Sequence, residues 1–101
     1  MKEIIHKLNR QFESRVRLGI MSVLAVNDQV DFNTLKELLD VTDGNLASHL
    51  TALEKADMVE VRKQFIGRKP NTSYLITGYG RKSFNEHLDY LARLVKSSKN
   101  K

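Results

Sequence analysis

Apolar residues recur at helical spacing from the first turn of the chain: Ile4, Ile5, Leu8 and Phe12, then Val16, Ile20, Val23 and Leu24, with Leu18 and Met21 on a second face. Two helices, or one bent helix, are predicted over residues 3–26. Apolar surface on more than one side of so short a segment implies burial by a second subunit as well as by the chain's own core. Asn27-Asp28 breaks the pattern, and Val30-Asp31-Phe32 supplies a few extended residues. Asn33 or Thr34, followed by Glu37, is a capping signal for a brief helix that carries Leu35, Leu38 and Leu39 and ends near Asp40.

Only Val41 intervenes before Thr42, whose hydroxyl is suited to cap a second helix, with Asp43 favourably placed at its positive end. Leu46, Leu50 and Leu53 stand at i, i+4 and i+7 and share an inward face, while Asn45, Ser48, Ala52 and the polar residues around them look outward. Past Ala56-Asp57, the run Met58 to Ile66 alternates like a strand, with Val59, Val61 and Phe65 toward the covered side. Gly67-Arg68-Lys69-Pro70-Asn71 forms a turn cluster and Thr72 to Ile76 a returning strand, which makes a β-hairpin with a basic tip. Thr77 caps a long last helix with Phe84, Leu88, Leu91 and Val95 at i, i+4, i+7 and i+11 and Leu94 beside them. The tail SSKNK is expected to fray. The predicted class is mainly α with a small β-hairpin (α+β), in one domain over residues 1–101. N-terminal helices fill 1–26, a helix-turn-helix 33–56, the hairpin 58–77 and a C-terminal helix 78–97.

Charge changes the picture because it is segregated. The net charge is +5, but residues 28–56 carry −4 while 1–27, 57–82 and 83–101 carry +3, +4 and +2. This favours a polyanionic partner met by the hairpin and the flanks. No cysteine is present, which excludes disulfides, thiolate metal sites and cysteine nucleophiles. No paired carboxylates beside a histidine, no glycine-rich phosphate loop and no Ser-His-Asp order stand out, so an enzyme is not expected. No cofactor motif is present, and His6, His49 and His87 lie on separate helices. Glu86-His87-x-Asp89 therefore reads as a solvated helix surface and not as a metal site. With no apolar run long enough for a bilayer or a secretory signal, the expected location is the cytoplasm.

The order helix, helix-turn-helix, two-stranded wing is that of a winged-helix DNA-binding domain. At residue level, TDGNL-x-x-HL at Thr42–Leu50 and GR-x-P-x-T-x-Y at Gly67–Tyr74 closely resemble the small winged-helix transcriptional regulators of the MarR/ArsR-like group. The likeness reaches back through RVRLGIMSVL and spans roughly residues 15–90. It departs from the pattern at Asp57, where glycine is usual, and at Gly78, where proline is frequent.

The resemblance implies a sequence-specific regulator of double-stranded DNA that acts as a homodimer on an inverted repeat, with residues 43–55 as recognition helix and the first and last helices as dimer arm. Its DNA-binding candidates on the helix are Thr42, Asp43, Gly44, Asn45, Ser48 and His49. Asn45 either pairs with adenine or completes the cap of its own helix. Asp43 either accepts from a cytosine amino group or offsets the helix dipole, and His49 either nears the phosphate backbone or packs at the helix edge. Gly44 suggests close approach of backbone to DNA, or simple tolerance at a helix end. On the wing, Arg68 is placed for the minor groove and Lys69 for phosphates, with Arg62, Lys63 and the Tyr74 hydroxyl as further phosphate candidates. Arg15, Arg17, Arg81 and Lys82 belong either to that surface or to plain solvent. The expected dimer interface comprises Ile4, Ile5, Leu8, Phe12, Leu88, Leu91, Leu94 and Val95; it has room for a small-molecule effector, whose existence and identity the sequence leaves open. Lys55 is the one cation of the recognition helix, so affinity must come mainly from wing and flanks. The alternatives are a winged-helix protein-interaction module and a nonspecific architectural DNA binder.

Overall fold

A computed structural model describes residues 1–99. The last two residues of the tail expected to fray lie outside the described residues. Helix α1 (Lys2–Lys7) leads through a 3-10 turn (Arg10–Phe12) into α2 (Arg15–Ala25). Strand β1 (Val30–Asp31), α3 (Phe32–Leu39) and α4 (Asp43–Lys55) follow, then β2 (Val59–Ile66), β3 (Lys69–Ile76) and α5 (Gly78–Ser97). The three strands form an antiparallel sheet in the order β1-β3-β2. This is a winged-helix fold, with five helices against a small sheet and a long last helix.

Local chemistry sets each boundary. Asp31 caps α3 by accepting from the Thr34 amide at 2.7 Å, and its bonds with Thr34 hold the carboxyl below the usual carboxylate range. The expected caps Asn33 and Thr34 lie inside the helix, because β1 pairing with β3 keeps Val30 and Asp31 extended and starts the helix directly after them. Asp40 ends α3 in the left-handed region, at φ 51°. Thr42 caps α4 through the Asn45 amide at 3.2 Å, and Thr77 caps α5 through the Gly80 amide at 2.8 Å. The wing turn is tighter than the five-residue cluster anticipated. Ile66 pairs with Lys69, which leaves Gly67 and Arg68 as a two-residue loop. Gly67 alone has positive φ, at 65°, the pattern of a type II′ turn. Pairing alternation puts Phe65↔Pro70 in a non-hydrogen-bonded register, with the proline nitrogen facing away from β2 on a side that β1 does not reach.

One core joins these elements: Ile20, Met21 and Leu24 of α2, Leu35 of α3, Leu46, Leu50 and Leu53 of α4, and Met58, Val59, Ile76 and Phe84. Two expectations are corrected here. Phe12 is 2% exposed and set edge-on to Phe84, with ring centroids 5.6 Å apart, so it belongs to the chain's own core and not to a dimer face. His87 is not on a solvated surface either. It is 5% exposed, its ring lies against Phe12, and its Nδ1 accepts from the Asn9 amide at 3.1 Å. Burial pushes its pKa below the usual histidine range. Leu38, expected among the apolar positions of α3, is 62% exposed.

Helix α4, the wing and α5 meet at one junction. Asp57 takes the left-handed conformation, at φ 60°, as the departure from glycine there required. The Thr77 amide donates to the Met58 carbonyl at 3.1 Å, and the Thr77 hydroxyl donates to the Asp57 carbonyl at 2.6 Å. Gly80 packs so closely that a Cβ would overlap the Met58 carbonyl oxygen and come 3.0 Å from Met58 Cα. Because the obstacle is backbone, Gly80→Ala should lower unfolding free energy by about 1–3 kcal/mol or more, measured by urea denaturation. Gly78→Ala, with open space around it, should not.

A second expectation follows from His87. Its folded pKa is depressed, so the stability of its neutral form is fully present above the unfolded value near 6.5 and is lost as pH falls below it. Wild type should lose stability as pH falls below about 6.5. His87→Gln, whose amide oxygen accepts from Asn9 without titrating, should lose less.

Candidate nucleic-acid interface

The inward face of α4 is spent on Leu46, Leu50 and Leu53, which fixes what its opposite face presents. Gly44, Ala47, Ser48, Thr51 and Lys55 recur at three- and four-residue steps and line one shallow open groove together with Ala52. All five are exposed, and an added Cβ at Gly44 would meet nothing within 4 Å. A helix face so bare of bulk can seat its backbone deep in a duplex groove. Asn45 and Thr42 are also exposed. Because the cap uses the Asn45 backbone amide, the Asn45 side chain has no part in it.

The structure separates the other helix candidates. Asp43 pairs with Lys36 of α3, with Nζ to Oδ1 at 2.8 Å, so its carboxylate is already engaged beside the helix start. His49 is half-buried, and its Nδ1 accepts from Arg17 Nε at 2.9 Å. Burial first, and then the Arg17 charge, hold its pKa below the usual range. A neutral ring with Nδ1 occupied carries its proton on Nε2. Arg17 also donates to Gln11 at 2.8 Å, and the exposed Arg81 donates to the Ala25 carbonyl at 2.9 Å, so both side chains are engaged with the rest of the fold.

The wing stands beside this groove. Alternation places Val59, Val61, Lys63 and Phe65 on one face, opposite Ile76, Tyr74, Thr72 and Pro70. That face turns toward α4, since Val61, Lys63, Thr72 and Tyr74 share a depression with Leu50, Thr51 and Glu54. Thr51 thus belongs to both hollows, and the helix stripe runs on into the wing face through Lys63 and Thr72. Arg62 lies on the other face, paired with Glu60 at 2.9 Å. Every residue from Arg62 to Pro70 is exposed, Arg68 and Lys69 among them. Tyr74 is corrected. It is 8% exposed, tilted against Phe32 at 6.5 Å, and its phenol is pushed up by burial and then by Glu54, so the ring is core and no free phosphate ligand.

Ala47, Thr51 and Thr72 line these hollows and were not among the candidates read from the sequence. The stripe Gly44, Ala47, Ser48, Thr51, Lys55 was open to a helical-wheel reading, whereas Thr72 needed the strand register. Of the dimer candidates, Ile5, Leu88 and Val95 are exposed at 50%, 44% and 70%. Ile4, Leu8, Leu91 and Leu94 are half-buried, with α1 packed against α5. Among the described residues no helix is long and apolar enough to cross a membrane, and no three His, Asp or Glu side chains gather as a metal set.

Comparison with known proteins agrees with this geometry. The winged helix DNA-binding domain family pattern matches residues 16–95. A transcriptional regulator homologue from Pyrococcus horikoshii superposes with a TM-score of 0.85 at 31% identity, over 98% of this chain and 96% of that one. An uncharacterized protein of Methanocaldococcus jannaschii is 39% identical over 89 residues, 88% of this chain and 94% of its own. A MarR-family protein from Enterococcus faecalis has the same fold, with a TM-score of 0.73 at 22% identity, over 95% of this chain and 84% of that one. With its helix-turn-helix and wing inside the matched segment, the chain belongs to the winged helix DNA-binding domain family.

Proposed function

We propose that the chain is a transcriptional regulator that binds double-stranded DNA sequence-specifically, as a homodimer on an inverted-repeat operator. The observation that carries this reading is the bare, open stripe of α4 running into the cationic wing. The stripe fits the major groove, and Asn45 and Ser48 hold the groups that read base edges there. The Thr42 hydroxyl, still free to donate, and the amino end of α4 meet a phosphate. Arg68 reaches the minor groove, while Lys63 and Lys69 meet phosphates and supply the charge that α4 lacks. Binding of this kind involves no catalysis, and the chain works in the cytoplasm where it meets the genome.

The homodimer reading rests on the apolar surface left on α1 and α5 by Ile5, Leu88 and Val95. Two copies joined there as a symmetric pair set their recognition helices about 34 Å apart, one turn of the duplex.

Both parts are open to test with a duplex recovered by in vitro selection on the wild-type protein. Lys69→Ala should lower the slope of log affinity against log salt by about 0.9, one phosphate contact. Gly44→Ala should keep or raise stability, by up to about 1 kcal/mol, and yet weaken binding by crowding the groove. Unchanged affinity in both would contradict the interface. For the dimer, sedimentation should give twice the 11.6 kDa chain mass. A Leu88→Glu, Val95→Glu double variant should sediment as a folded monomer with weakened operator binding, and a wild-type monomer would contradict the pairing.

A further inference from the structure

The hairpin does not end as the rest of the sheet does. Val59 and Val61 start a face covered by the body of the fold, and Phe65 continues that face where nothing covers it, at 72% exposure. Its cross-strand partner is Pro70, in the register where facing side chains stand closest. A ring beside a pyrrolidine makes a stiff apolar ridge on the side of the wing that faces α4. Lys63 precedes it on the same face, and Arg68 and Lys69 stand at the tip. Such cations repel a second copy of the same tip and attract a polyanion. The two-residue turn keeps the tip narrow, as a minor groove about 6 Å wide demands.

We propose that the Phe65 ring, backed by Pro70, is an apolar wedge that the wing presses into the minor groove, where it partly unstacks one base step and bends the duplex. This rests on the DNA-binding reading above and adds a way of reading sequence through deformability. Flexible pyrimidine–purine steps beneath the wedge yield most easily, so the operator is selected there without a hydrogen bond to a base. Ile66, 63% exposed on the opposite face, takes no part.

The test compares wild type, Phe65→Ser and Ile66→Ser on the duplex selected by the wild-type protein, labelled at both ends for energy transfer. Phe65→Ser should weaken binding about tenfold or more, as expected for losing one buried ring. The salt slope should stay unchanged, and the shortening of the end-to-end distance should disappear. Ile66→Ser should match wild type in both measurements, and circular dichroism should show all three proteins equally folded. Equal affinity and equal bend for Phe65→Ser and wild type would overturn the wedge, as would equal losses in the two serine variants. A changed oligomeric state of Phe65→Ser in sedimentation would reassign the ring to a contact between copies. A wild-type protein that selects no duplex would instead sink the underlying DNA-binding reading.

Discussion

The contact of Gly80 with the Met58 backbone is the constraint on which the rest depends. At this point the end of the recognition helix, both inner ends of the wing and the start of the last helix are drawn into one hydrogen-bonded knot. The left-handed turn at Asp57 lets the chain reverse from α4 into β2, and Thr77 closes the loop by donating to Asp57 while accepting from Gly80. Without a glycine at position 80 the last helix would have to stand off, and the wing would lose its fixed angle to α4. The relative placement of α4, the wing and α5 is thus set by a few backbone contacts.

Electrostatics then divides the work. The middle of the chain is acidic, and the one aspartate at the start of α4 is neutralised by Lys36. The helix is left nearly neutral and small-sided, suited to close approach and base reading, while the wing carries the free charge. Arg17 and His49 illustrate the opposite use of polar groups. Their bond ties α2 to α4 behind the interface, and a neutral His49 keeps that tie. The outer stripe of α4 can be bare because the inner side is held by leucines and by this bond.

Most of the architecture was legible because helical and strand periods survive in short segments. The span 43–55 for the recognition helix and 78–97 for the last helix are those observed, since Thr42 and Thr77 are unambiguous caps. The cap of α3 was misread because Asp31, Asn33 and Thr34 all qualify locally, and the choice is made by the pairing of β1 with β3. The wing turn was drawn too wide because Pro70 usually ends a strand, yet here it occupies a position with no partner on its nitrogen side. Phe12, Tyr74 and His87 share one cause of error. Each has a polar or terminal setting in sequence but is covered by an element far along the chain: Phe84 for Phe12, Phe32 for Tyr74, and Asn9 for His87. Of the candidate surface, the helix at 43–55 and the exposed basic tip of the hairpin were legible. The joining of the two through Thr51, Lys63 and Thr72 required the register.

The most direct measurement is a fluorescence anisotropy titration of the wild-type protein at two salt concentrations, with the duplex upstream of its own gene against a scrambled duplex of equal length. A sequence-specific regulator binds the upstream duplex at least about a thousandfold more tightly than the scrambled one, with affinity falling as salt rises. Equal, salt-steep binding to both duplexes, or binding to neither, would contradict it.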